Sequence, residues 1–538
     1  MSVMIACLCI VVGMIATVPR RCYPFHQWYQ GSVFYEIFPA SFQDSNADGI
    51  GDLRGIAMRA DYFTRLGVRA IRLNSIFPST PYPENFDKVK NLTEIEKSLG
   101  TLNDFNYLLD VMHRRNISVI LDFPLHPYVK DLGELNVVIN RKNNRKDVAD
   151  KITNVVHNHR SHRSVENETE ESVDVPELIR TEFNGRVKLL KPYIDGGIAG
   201  LMKYTSEHLN SISQTLVEEA LYFWFRLGVD GVYLKGLENY INDIKFSAEL
   251  KKWKEIKENF YYEGESKMLM CNYRVLDSAE DAGTKNLILT TMDLLDVYLD
   301  LSNGTTSAKN TINKYQDIDI FNRPDYSWIH WNIGNENTTR LASKVSNHLG
   351  AILFQYLLPG TISIFYGDEI GLLRARDSHQ DHGDVKHIHQ LAPMNWLKNG
   401  TGFTQATHLP WLPYAEGDKR TELTEIIISN LTRLRMDTPS IYMNSVWKEK
   451  EHLQNFAFRN KDPDNEDSNI LILERSYPRR NAYVVIFNAG KTNVRKDYSS
   501  IYYGGELIED ANGNNGIYMT FDDLILNSGD AYVVKLHK

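Results

Sequence analysis

The feature that most constrains this chain is a regular alternation of short apolar strands with amphipathic helices, which begins near Gln27 and runs to about Asp122. Val33–Phe38 reads as a strand, Ile56–Leu66 as a helix stopped by Gly67, and Val68–Leu73 as a second strand. Leu102–Arg115 places Leu102, Phe105, Leu108, Leu109 and Met112 at helical spacing, and Ile117–Phe123 reads as a third strand. Parallel neighbours need a crossover connection, so strands separated by helices imply stacked βα units. Between His126 and about Ser206 the rhythm breaks. Arg141–Lys146 is basic, His157–Arg163 is rich in His and Arg, and Glu166–Glu171 is acidic, which reads as an irregular insertion with solvated loops. The pattern resumes with the helix Ile212–Leu227 and the strands Gly231–Leu234, Met268–Cys271, Ser327–Ile333 and Thr361–Tyr366. After about Met443 it changes to short alternating strands such as Leu471–Arg475, Ala482–Phe487 and Ala531–Leu536, the signature of an antiparallel β-sandwich.

The 538 residues, 42% hydrophobic and 24% charged, supply core for more than one domain. A net charge of −9 gives no basic face for nucleic acid. Met1–Val18 carries no charged side chain and is stopped by Pro19, Arg20 and Arg21. As a helix it would reach about 27 Å, just under the ~30 Å hydrocarbon core. A signal peptide begins with basic residues, which this segment lacks, so a membrane anchor is the better reading. N-x-S/T occurs at Asn91, Asn116, Asn167, Asn303, Asn337, Asn399 and Asn430, which places the downstream chain in a lumenal or extracellular compartment. Asn116 opens a predicted buried strand and is set aside; the other six are candidate glycosylation sites. Arg20 and Arg21 would face the cytosol under the positive-inside rule, so this reading expects a basic cytosolic segment ahead of Met1. Of Cys7, Cys9, Cys22 and Cys271, Cys22 alone stands just outside the anchor, where an oxidising compartment suits an intermolecular bridge.

Asp44–Asp52, DSNADGIGD, alternates oxygen-bearing side chains at Asp44, Asn46, Asp48 and Asp52, with the Ile50 carbonyl between them. Gly49 and Gly51 permit the turn, and hard oxygen ligands at this spacing suit Ca²⁺. The alternative is an Asx-rich turn. His379, His382, His387 and His389 are irregularly spaced among Asp and Gln and read as a polar loop rather than a zinc site.

Several segments resemble the oligo-1,6-glucosidase and maltase group of glycoside hydrolases, in the same order over roughly two thirds of the chain. They are Trp28–Ile56 (WYQGSVFYEIFPASFQDSNADGIGDLRGI), Gly100–Phe105 (GTLNDF), Val119–Phe123, Gly228–Gly231 (GVDG), Leu358–Gly371 (LPGTISIFYGDEIG) and Pro393–Trp396 (PMNW). The resemblance implies a (β/α)8 TIM barrel, an irregular domain B inserted after strand three, and a C-terminal antiparallel β-sandwich. It also implies a structural Ca²⁺ at the Asp44–Asp52 loop. In that group the nucleophile lies in a G-x-R-x-D pattern, and Gly231–Lys235 reads GVYLK: Lys235 stands for the nucleophile and Tyr233 for the arginine. The general acid of the L-M-x-E pattern is Asn272, and the third carboxylate of G-N-H-D-N is Asn337, preceded by Glu336. An ammonium cannot attack an oxocarbenium-like centre, and an amide has no proton to give the leaving oxygen. The expectation is a degenerate site without catalysis and a cleft free of a carboxylate pair. Asp87, His126 and Arg340 match residual pocket positions, although Phe86 and Leu125 depart from the pattern beside them.

The anchor, the sequons, Cys22 and the degenerate site together resemble the rBAT-type heavy subunits of heteromeric amino-acid transporters. That resemblance implies a single-pass type II plasma-membrane glycoprotein whose Cys22 and anchor helix hold a multi-pass light subunit. Two other readings are a secreted or membrane-bound maltase with an atypical site, and a sugar-binding pseudoenzyme. The expected boundaries are an anchor at 1–18, a stalk at 19–27, barrel at 28–125 and 207–442, domain B at 126–206 and the sandwich at 443–538.

Overall fold

The computed structural model describes residues 24, 26–134, 215–260, 266–302, 305–316, 323, 325–376, 386–397, 402–415, 422–448, 451–453, 455–459 and 469–537. The anchor segment, Cys22 and all of the insertion beyond residue 134 lie outside these. Among the described residues no helix is long and apolar enough to cross a membrane.

Eight parallel strands close a barrel in sequence order: β1 (Val33–Ile37), β2 (Ala70–Leu73), β3 (Ser118–Pro124), β4 (Gly231–Lys235), β5 (Met268–Asn272), β6 (Leu294–Tyr298), β7 (Trp328–Asn332) and β8 (Thr361–Phe365). Closure is made by β8 pairing with β1, Val33 opposite Ile362 and Glu36 opposite Phe365. Strand β6, LLDVY, is an element the sequence pattern did not reveal; four buried residues in a run of five carry no helical or alternating signal. The expected helix Ile56–Leu66 is two short helices, Leu53–Met58 and Ala60–Leu66, broken at Arg59. The helix Leu102–His113 is held by a full capping box between Thr101 and Asp104 and buries Phe105, Leu108, Leu109 and Met112 as its spacing predicts.

The barrel interior is layered. At the end where the strands begin, Tyr29, Phe34, Ala70, Ile120, Tyr233, Met268, Met270, Leu294 and Trp328 form one apolar cluster, with Trp28 and Met443 packed against it. Above them, toward the ends of the strands, the inward-facing residues are charged.

After the antiparallel pair β9 (Val446–Lys448) and β10 (Glu451–Leu453), the C-terminal part is a six-stranded sheet in the order β11 (Phe456–Phe458), β12 (Ile470–Arg475), β13 (Tyr483–Asn488), β18 (Ala531–Leu536), β15 (Gly505–Asp510), β16 (Ile517–Met519), with every pairing antiparallel. A further pair, β14 (Val494–Lys496) with β17 (Leu524–Leu526), completes the sandwich. Alternation does the sorting: Leu471, Leu473, Val485, Phe487 and Val533 join the main core, while Ile470, Ile472, Val484, Ile486 and Val534 form a second core with Leu524 and Leu526.

Candidate functional site

Each motif position falls at the end of a strand that the pattern of the chain predicts. Lys235 is the last residue of β4 and Asn272 the last of β5, while Glu336 and Asn337 follow β7 by a few residues. None of the three positions read for the catalytic carboxylates is an acid, but the expectation of a cleft without carboxylates close together does not hold. Glu36 of β1, Asp122 of β3 and Glu336 all converge on the interior near Lys235.

The organising group is Arg72 on β2. Its Nε and Nη2 donate to the two oxygens of Asp122 at 2.7 and 3.0 Å, and its Nη1 donates to Glu36 at 3.0 Å. The Asn74 amide donates to Glu36 at 3.0 Å, to Asp122 at 3.1 Å and to Glu336 at 3.3 Å. The Lys235 ammonium donates to Glu336 and lies 3.5 Å from Asp122 Oδ2. Asp122 and Glu336 therefore share two donors, the Asn74 amide and the Lys235 ammonium, whereas a retaining glycosidase needs two carboxyl groups free to act on the substrate. What separates them from such a pair is their company. The Asp122 side chain is fully buried and that of Glu336 is 2% exposed, and each is bound to a cation.

The arginine that the motif would carry at 233 is Tyr233, but the Arg72 guanidinium lies 4.2 Å above its ring. A strand two places round the barrel thus supplies positive charge from a different backbone position. The Tyr233 hydroxyl donates to Asp296 Oδ2 at 3.1 Å, and Asp296 Oδ1 meets His330 Nδ1 at 2.7 Å and the Asn332 amide at 2.8 Å. Burial and opposing charge set the protonation tendencies. Burial pushes the Glu36 carboxyl up despite Arg72. Burial also pushes the Lys235 ammonium down, with Asp122 working against that shift. Desolvation disfavours the charged Arg72, yet Asp122 and Glu36 more than offset it, so its pKa is raised. For Asp296 burial is again the largest influence and upward, but the contacts with His330 outweigh it and hold the carboxyl below its usual range.

The remaining motif residues have separate surroundings. Asn272 is half-buried, and its Oδ1 accepts from the Arg274 amide at 2.9 Å. Asn337 is exposed and donates to Glu336 at 2.8 Å. Asp87 and His126 are exposed. Arg340 is fully buried and donates to the carbonyls of Gln390 and Tyr366, with Asp368 at 3.5 Å, so it ties loops together rather than facing a ligand. Asn91 Oδ1 accepts from the Thr93 amide, and the Asn430 amide donates to Glu509 at 3.2 Å. Asn116, set aside as buried, is exposed in a left-handed turn at φ 57°, two residues before β3 begins. Asn167, Asn303, Asn399, His379 and His382 lie outside the described residues.

In the Asp44–Asp52 loop, Gly49 adopts φ 87°, and a Cβ on Gly51 would meet the Pro39 carbonyl at 2.2 Å. Asp44 Oδ1 accepts from the amides of Asn46 and Ala47, and its Oδ2 from the Gly49 amide and the Thr404 hydroxyl. Asp52 caps the helix Leu53–Met58 and accepts from the amide and hydroxyl of Ser45. Asn46 and Asp48 in turn accept from the amides of Asp48 and Ile50. The loop as folded is a set of Asx turns whose carboxylates face N–H and O–H donors. Among the described residues no three His, Cys, Asp or Glu side chains gather as a metal cluster.

Fold and site define a class: a closed (β/α)8 barrel of the α-amylase type with an ion-paired network at the ends of its strands. The α-amylase catalytic-domain family model matches residues 36–235. The chain is 24% identical over 436 residues to the human amino acid transporter heavy chain SLC3A1, covering 72% of this chain and 60% of the relative. The rat protein of that name gives 24% over 429 residues with the same coverage. Maltase A2 of Drosophila melanogaster is 25% identical over 432 residues, covering 72% of this chain and 73% of that one. Trehalulose synthase MutB from Pseudomonas mesoacidophila MX-45 superposes with a TM-score of 0.62 at 16% identity, over 96% of this chain and all of that one, a likeness of fold. The chain spans about 60% of the length of the heavy-chain relatives. The resemblance to rBAT-type heavy subunits on a glycosidase scaffold, read first from the motifs, holds.

Proposed function

We propose that this chain is a non-catalytic, glucosidase-like membrane glycoprotein that serves as the heavy subunit of an amino-acid transporter. In this reading residues 1–18 anchor it as a single-pass type II protein of the plasma membrane, with the glycosylated barrel outside the cell. The stalk would bring Cys22 to a multi-pass light subunit, where a disulfide makes the association covalent at a local concentration set by the short linker. The observation that carries the non-catalytic half is Lys235, which sits at the nucleophile position and is engaged by Glu336 and Asp122. A retaining mechanism needs one carboxylate free to attack and one carboxylic acid free to donate. Here both candidates are bound to cations and shielded from water. Support for the transporter half is the similarity to proteins named as amino acid transporter heavy chains.

The experiment is Cys22→Ser in the full chain, run on non-reducing gels from membranes. The reading expects a reductant-sensitive complex that disappears in the variant; an unchanged band pattern would refute it. A second reading, catalysis by Asp122 and Glu336, has one observation in its favour: their shared contacts with Asn74 and Lys235. A structural Ca²⁺ in the Asp44–Asp52 loop is a separate proposal. The oxygen-rich sequence supports it, and the amide donors already on Asp44 and Asp52 oppose it. A melting temperature indifferent to Ca²⁺ and to chelator disposes of it.

A further inference from the structure

The chain enters the barrel at one identifiable end. Trp28 Nε1 donates to the Ser266 carbonyl at 2.9 Å, just ahead of β5, and the Tyr29 hydroxyl donates to Asp293 at 3.0 Å, just ahead of β6. His26 packs against Tyr442 with ring centroids 5.1 Å apart. All three contacts pin residues 26–29 to the end of the barrel where the strands begin. Cys22 lies four residues upstream of His26 and Val18 eight upstream. At the maximal ~3.6 Å per residue, four residues span at most about 14 Å of backbone and eight at most about 29 Å, which limits how far the linker to Cys22 and to the apolar segment can reach from that face. The Lys235 network stands at the opposite ends of the same strands.

From this geometry we infer that the strand-start face of the barrel is the docking surface for the membrane-embedded subunit, and that the former cleft opens away from the bilayer. The inference rests on the anchor and Cys22 bridge proposed above, and it commits to one occupant, the extracellular surface of the subunit that Cys22 holds. The face is polar rather than apolar. Arg115 and Asn116 in the turn before β3, Arg226 near the end of the helix Leu216–Leu227 and Arg323 before β7 are exposed there. A polar surface suits a partner with wet extracellular loops better than insertion into lipid. The described sequons Asn91 and Asn337 follow β2 and β7, on the far side, whereas Asn116 stands on the docking face.

The test uses the full chain in its native membrane with a photoreactive p-benzoylphenylalanine in place of Arg226, Arg115 or, at the opposite rim, the exposed Lys88. The expected result is that Arg226 and Arg115 positions cross-link to the same species that the Cys22 disulfide retains, while the Lys88 position does not. Cross-linking of that species from Lys88 alone would overturn the docking face and leave the heavy-subunit reading intact. Absence of any Cys22-linked species would overturn the heavy-subunit reading itself. Orientation is then read independently, with fluorescent donors at Arg226 and Lys88 and acceptor lipids in liposomes. Stronger energy transfer from Arg226 supports the inference, and equal or reversed transfer refutes it. Peptide mass spectrometry of the linked species should find Asn116 without a glycan; a glycan there contradicts the docking face.

Discussion

The two ends of the barrel interior solve the same packing problem with opposite chemistry. Where the strands begin, Phe34, Met268, Met270 and Trp328 fill the lumen by burying apolar surface. Where they end, the three carboxyl groups of Glu36, Asp122 and Glu336 are set against the two cations Arg72 and Lys235. The first kind of packing tolerates volume-conserving change and barely senses pH. The second is interdependent, because removing one ion leaves its partner charged and dry. A catalytic centre must hold unpaired reactive groups, so the ionic end is where activity can be lost while the fold survives.

Breaking this contrast should begin with Arg72. Arg72→Met strands Asp122 and Glu36 together and should cost about 4–5 kcal/mol of unfolding free energy, measured by denaturant titration. The cost should shrink as pH falls and the carboxylates protonate. Next comes Lys235→Asp, which restores the motif residue but sets a carboxylate against Glu336 and Asp122; a loss of about 3–4 kcal/mol is expected, with no glucosidase activity gained. At the opposite end Phe34→Ala should cost about 3 kcal/mol through a cavity, with a loss that stays constant across pH. A pH-dependent Phe34→Ala or a pH-independent Arg72→Met would erase the distinction drawn here. Tyr233→Phe removes one hydroxyl donor to Asp296 and should cost about 1 kcal/mol.

An effect visible only through pH concerns Lys344, whose ammonium donates to the Tyr298 hydroxyl at 2.7 Å and the Ile333 carbonyl at 3.2 Å. Burial lowers its pKa from 10.5 to about 8. Between those two values the unfolded chain binds more protons than the folded one, so this group makes stability rise with pH across that window and contributes a constant penalty below it. Lys344→Met should flatten that rise relative to the parent, a difference readable from melting temperatures at pH 7 and 10.

Much of the fold was legible because βα alternation and helical spacing are local signals; Leu102–His113 buries the four residues its periodicity selects. β6 was not, since LLDVY is short, buried throughout and without a period. The site was half legible. The strand-end substitutions at Lys235 and Asn272 could be read by motif alignment. The contacts could not: Glu36 sits in the opening motif and Arg72 between motifs, and they meet Asp122 only when the barrel closes. Alternation along β1 and β2 does put Glu36 and Arg72 at inward positions of otherwise apolar strands, and a buried charge in such a run is the signal that would have found them. Asn116 was misjudged for a related reason. The turn before β3 needs a residue at positive φ, a role asparagine fills in solvent rather than inside a strand.

The proposal of a non-catalytic barrel rests on Asp122 and Glu336 being held by cations. The most direct measurement is hydrolysis of maltose and of p-nitrophenyl α-glucoside by the purified full-length protein across pH 4–8. The account predicts release no faster than buffer alone. Turnover that disappears in Asp122→Asn or Glu336→Gln would contradict it.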